Sequence, residues 1–65
     1  MTGAIKTVNL ARGFGFIVGD DGVEYFFHRA EVQGMPLEEL KAGARVSFET
    51  HTTKRGPRAS AVNAA

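Results

Sequence analysis

Apolar and polar residues alternate with a period of two along several short stretches of this chain, and turn-forming residues separate those stretches. "AIKTVNL" (residues 4–10) is rich in β-branched side chains and predicts a strand. "GFGFIV" (13–18) predicts a second. "DDG" (20–22) follows as a hairpin signal, because Asp and Gly tolerate positive φ. "VEYFFH" (23–28) predicts the third strand. "ARVSFETHT" (44–52) sets Val46 and Phe48 against Arg45, Ser47 and Glu49, the pattern of a half-buried strand. "KRGP" (54–57) turns the chain, and "RASAVNA" (58–64) is the last and weakest strand. Between the third and fourth strands, "RAEVQGMPLEELKAG" (29–43) is broken by Gly34 and Pro36, so it predicts a short turn and a loop rather than a long helix. Five short strands without a substantial helix point to an all-β fold closed into a small barrel, since closure removes exposed strand edges. No repeat or linker divides residues 1–65, which read as one domain.

The aromatic residues are unevenly spread. Five of the six, Phe14, Phe16, Tyr25, Phe26 and Phe27, lie between Arg12 and Arg29 and are interleaved with glycine. In the third strand Val23, Tyr25 and Phe27 share one face, while Glu24, Phe26 and His28 share the other. A face carrying Glu and His points to solvent, which predicts an exposed Phe26. In the second strand Phe14 and Phe16 oppose Gly13, Gly15 and Ile17, and period alone leaves either face inward. The hairpin makes the two strands antiparallel neighbours whose like faces lie side by side. Grouping Ile17 with Tyr25 and Phe27 inside would set Phe14 and Phe16 beside Phe26 and His28 outside. On the residues alone, a core position for one or more of these rings stays open.

Composition narrows the function. A chain of 65 residues is near the lower limit for folding without a staple, and it has no cysteine to supply a disulfide or a thiolate metal site. No apolar run approaches the roughly 20 residues needed to cross a bilayer, and the N-terminus lacks a signal-peptide pattern. A cytoplasmic location with no membrane partner is the expectation. Eight Lys and Arg against seven Asp and Glu give a net charge of only +1, too little for binding by phosphate attraction alone. The charge is unevenly placed: Lys54, Arg55 and Arg58 occupy a C-terminal stretch without an acid, and six of the seven acids fall between Asp20 and Glu39. Catalysis is not expected, because there is no Cys nucleophile, no cluster of metal ligands, no glycine-rich phosphate cradle opening a helix, and only two histidines. Asp20 and Asp21 stand in a turn, where Asp is common for conformational reasons. No cofactor or metal is implied, and His51, with no motif around it, reads as a surface histidine. Exposed aromatics would mark an interface, with a nucleic acid or with another protein.

The motifs narrow that choice. "RGFGFIV" resembles the first ribonucleoprotein motif of the bacterial cold-shock domain, K-G-F-G-F-I, and "YFFHRAEV" resembles the second, V-F-V-H-F-S-A-I. "LKAGARVSFE" and "KRGPRASAV" are similar to later stretches of that family in order and spacing, so the resemblance covers essentially the whole chain. It implies a five-stranded antiparallel OB-type barrel; closure of that barrel leaves no obvious need for a dimer, so a monomer is the expectation. It also implies binding of single-stranded RNA or DNA on exposed rings, as an RNA chaperone or a regulator of transcription or translation. The nucleic-acid-binding residues carried over are Phe14, Phe16, Phe26 and His28, with Lys6, Arg12, Lys54 and Arg55 at the rim.

Three positions depart from the family pattern. Lys6-Thr7-Val8-Asn9 stands where K-W-F-N is common, Arg29 replaces a phenylalanine after the histidine, and Leu37 replaces a phenylalanine of the loop. A central aromatic patch with trimmed flanks, and hence a shorter footprint, is the expectation. Arg29 would compensate in part by stacking on a base or pairing with phosphate.

Overall fold

All five expected strands form, with their ends shifted: β1 Thr2–Asn9, β2 Phe14–Gly19, β3 Glu24–His28, β4 Arg45–Thr53 and β5 Gly56–Ala64. The computed structural model describes residues 1–65. The strands close into a barrel in the order β1-β2-β3-β5-β4, with β4 returning to β1. Four of the five pairings are antiparallel; β3 and β5 run parallel and share the single register pair Phe26–Arg58. Val23 falls outside β3 and is 38% exposed, because it closes the hairpin turn instead of extending the inward face.

Alternation decides what is buried. Ile5, Ile17, Tyr25, Phe27, Val46, Phe48, Ala59 and Val62 point inward from the five strands. The β3–β4 connection, expected as a short turn and a loop, contributes two 3₁₀ turns, Arg29–Glu31 and Leu37–Glu39. Leu37 and Leu40, three residues apart around the second turn, complete the core. Leu37 is 6% exposed, so it packs inside rather than standing at a flank of the aromatic patch.

The glycines of β2 answer to packing. Gly15 pairs with Val8 on one side and Phe27 on the other. A Cβ added there would lie 2.6 Å from the Thr7 carbonyl oxygen and 2.8 Å from Phe27 Cζ, so only glycine lets the Phe27 ring lie this close to β2. Gly13 precedes β2 with φ +74° and fixes the turn that delivers Phe14 to its strand.

The hairpin end of the barrel carries the two aspartates. Asp20 accepts two hydrogen bonds of 3.0 Å from the Arg45 guanidinium and a further one from the Thr2 hydroxyl. Asp21 accepts from the Tyr25 phenol at 2.6 Å and from the Val23 backbone N–H at 3.0 Å. These bonds favour the ionised carboxylates: the hydrogen bond from Arg45 lowers the pKa of Asp20, and that from Tyr25 lowers the pKa of Asp21. Both groups therefore bind protons less readily folded than unfolded. The stability they contribute is complete above the ordinary carboxylate value of about 4 and is lost as pH falls through their lower folded values. Melting temperature is expected to drop along an acid limb below about pH 4. Thermal melts of Asp20→Asn and Asp21→Asn across that range should show a flatter limb than the parent; unchanged limbs would remove these carboxylates as its cause.

Candidate nucleic-acid interface

The outward face of β2 and β3 gathers three phenylalanines. Because Phe16 pairs with Phe26 and Phe14 with His28 across the strands, their side chains emerge on the same side of the sheet. Ring centroids are 5.6 Å apart for Phe14–Phe26, 5.8 Å for Phe16–Phe26 and 6.2 Å for Phe14–Phe16. Two of these contacts are edge-to-face, the arrangement favoured by the ring quadrupoles. All three rings are half-buried, supported from below yet open to solvent, whereas Phe27 and Ile17 beneath them are fully buried. The face assignment expected from the hairpin pairing holds, and the core alternative for Phe14, Phe16 and Phe26 does not.

His28 ends β3 and caps the first 3₁₀ turn, its Nδ1 accepting from the Ala30 backbone N–H at 3.1 Å. Nδ1 must be unprotonated to accept, so the neutral ring carries its proton on the exposed Nε2, available as a donor beside Phe14. Arg29 follows, its aliphatic stem against Gly13 and its backbone N–H donating to the Gly13 carbonyl at 2.8 Å. Arg12 lies in the turn ahead of Phe14. That turn is shaped by Asn9, whose side-chain oxygen accepts from the Arg12 N–H at 3.1 Å.

The remaining cations differ in their freedom. Lys6 sits where β1 gains an extra residue between Ile5 and Thr7, and its ammonium pairs with Glu24 at 3.0 Å. Both side chains are about half exposed, so the pair is worth only about 0–1 kcal/mol and would yield to a phosphate. Lys54 and Arg55 form the β4–β5 turn, held by the Thr53 hydroxyl, which donates to the Gly56 carbonyl at 2.9 Å. The chain's two ion pairs are Lys6–Glu24 and Arg45–Asp20, which leaves Arg12, Arg29, Lys41, Lys54, Arg55 and Arg58 free.

Three residues absent from the expected site stand at it. Arg58 reaches over Phe26, its guanidinium carbon 5.3 Å from the ring centroid. Thr53 and Pro57 line a groove of about 260 Å³ together with Phe16, Phe26, Arg55 and Arg58. Period two already implied that Arg58 faces outward, since Ala59 beside it is apolar and proves fully buried. Its position next to Phe26 depends on the parallel β3–β5 pairing, which local pattern does not reveal.

A family model described as the "'Cold-shock' DNA-binding domain" matches residues 1–65. The chain belongs to the cold-shock domain family. It is 42% identical over 63 residues to cold shock protein CspV of Vibrio cholerae, covering 95% of this chain and 90% of that protein. It is 37% identical over 60 residues to cold shock protein 1 of Lactiplantibacillus plantarum, covering 92% and 91% of the two chains. Among solved structures, the Drosophila protein "Unr CSD456" superposes with a TM-score of 0.76 at 22% identity. That match covers 98% of this chain and about a quarter (26%) of the Drosophila chain, and it supports the fold. Within the cold-shock frame Thr7 is the outward neighbour of Phe16 in the β1–β2 register, so the trimmed flank adjoins the central rings directly.

Proposed function

We propose that this cold-shock domain binds single-stranded RNA or DNA by stacking unpaired bases on Phe14, Phe16 and Phe26. His28 and Arg29 extend the patch, and Lys6, Arg12, Lys54 and Arg55 meet the phosphates. The observation that carries the reading is the three-ring cluster on the outer face, flanked by Arg12, Arg29, Lys54 and Arg55, none of which has a carboxylate partner. Every base has a π-face, and a duplex hides it, so stacking selects unpaired strands at about 1–3 kcal/mol per base. A protein that holds bases apart in this way would act as an RNA chaperone or as a regulator of transcription or translation.

Titration of a labelled oligothymidine, a mixed-sequence RNA and a duplex tests the reading. Both single strands should bind and the duplex should not. With two or three of Lys6, Arg12, Lys54 and Arg55 on phosphates at once, the log–log salt slope should be roughly −1.5 to −2. A slope steeper than about −4 would transfer the binding from stacking to charge. Absence of binding to either single strand would point to a protein partner for the same patch.

Thr7→Trp tests the trimmed flank. The β1–β2 register sets position 7 beside Phe16 on the exposed face, so the indole would continue the row of rings. Oligothymidine affinity should rise about 5- to 100-fold, the equivalent of roughly 1–3 kcal/mol of added stacking. The new indole would be the chain's only tryptophan, and its fluorescence should be quenched at saturation. Unchanged affinity with an unquenched indole would show that bases do not reach this side of Phe16.

A further inference from the structure

Barrel closure brings a free guanidinium onto the aromatic cluster itself. One row of outward residues runs Thr7, Phe16, Phe26, Arg58 and His51 across β1, β2, β3, β5 and β4. Arg58 is exposed, has no ion pair, and lies with its guanidinium carbon 5.3 Å from the Phe26 centroid. The groove beneath it is lined by Phe16, Phe26, Thr53, Arg55, Pro57 and Arg58 with Gly56, and by no carboxylate. Its volume of about 260 Å³ suits one planar group rather than a larger ligand.

We infer that Arg58 makes this groove select guanine over adenine, its guanidinium donating to O6 and N7 of a base stacked on the rings. The inference rests on the single-strand reading above. Phe16 and Phe26 meet edge to face at 70° and both line the groove with Arg58, so a base stacked on Phe16 within it would turn its edge toward the guanidinium held over Phe26. Guanine offers two adjacent acceptors there, O6 and N7, which match the two parallel donors of the fork. Adenine replaces O6 with an amino donor, which would face another donor. The two purines present similar faces to the phenylalanines, so the difference between them isolates the edge contact. Contact with Phe26 also orders the guanidinium before the base arrives, reducing the entropy lost on binding.

The test titrates the full chain with heptathymidine strands whose central base is thymine, guanine, adenine, 7-deazaguanine or inosine. The guanine strand should bind about tenfold more tightly than the adenine strand. 7-Deazaguanine, lacking N7, should lose most of that gain, and inosine, keeping O6 and N7, should retain it. Arg58→Ala should equalise guanine and adenine while the all-thymine strand still binds. Arg58→Gln should move the preference toward adenine, whose N6 and N7 suit a side-chain amide. Equal affinity for the guanine and adenine strands in the parent, or a guanine preference that survives in Arg58→Ala, would overturn the inference and leave single-strand binding standing. If the all-thymine strand also fails to bind the parent, the single-strand reading itself is overturned.

Discussion

Phe27→Ala is expected to leave this chain without a cooperative fold. Phe27 is fully buried and heads the largest wholly enclosed side chains, with Gly15 cut back to admit its ring. Removing a buried phenylalanine costs about 3–5 kcal/mol in lost transfer energy and cavity. A 65-residue barrel without a disulfide has total stability on the order of 3–6 kcal/mol. The loss is comparable to the whole, and the barrel has no second core to fall back on. Urea denaturation followed by circular dichroism should show no folded baseline for the variant. A cooperative transition within about 1 kcal/mol of the parent would mean that the ring contributes little to the core.

The adjacent substitution should do the reverse. Phe26→Ala is expected to keep its fold and lose about 10- to 100-fold in affinity for single strands, equivalent to about 1.4–2.8 kcal/mol. Phe26 meets both other rings of the cluster and lies under the Arg58 guanidinium, so its removal strips one stacking surface and loosens the groove wall. It is only half-buried, and the fully enclosed core beneath it is untouched. Nuclear magnetic resonance spectra of the free variant should keep their dispersion while titration reads the weakened binding. If the variant unfolds, Phe26 belongs to the core; if it stays folded and binds as before, stacking on this ring is not what holds the strand. Two neighbouring phenylalanines, one failing in stability and the other in affinity, would separate the two faces of β3.

Much of this outcome was legible along the chain. Side-chain period two is a local property of an extended backbone, so Tyr25 and Phe27 could be sorted from Phe26 and His28 by their neighbours alone. The Asp21-Gly22 turn then fixed which face of β2 joined them, because a two-strand hairpin ties register to the turn. The motif resemblance rested on those same residues. The connection from residue 29 to 43 was harder to read. Gly34 and Pro36 correctly ruled out a long helix, but the inward course of Leu37 and Leu40 depends on the space that the finished barrel leaves to be filled. A loop residue has no period from which to infer its direction.

The charges divide along the same line. That Arg29, Lys54 and Arg55 flank an aromatic face follows from their places in the turns that β3 and β4 lead into. That Lys6 meets Glu24 depends on β2 pairing with both β1 and β3, which no single strand's pattern reveals. Arg58 is the clearest case. Composition showed a basic stretch without acids, and alternation with Ala59 made its side chain face outward, but neither could say what it faces. Local sequence determines which side of its own strand a residue occupies, since that follows from backbone geometry within a few residues. Which residues then become neighbours across strands distant in the chain is decided by how the sheet closes, and here the parallel meeting of β3 and β5 set Arg58 over Phe26.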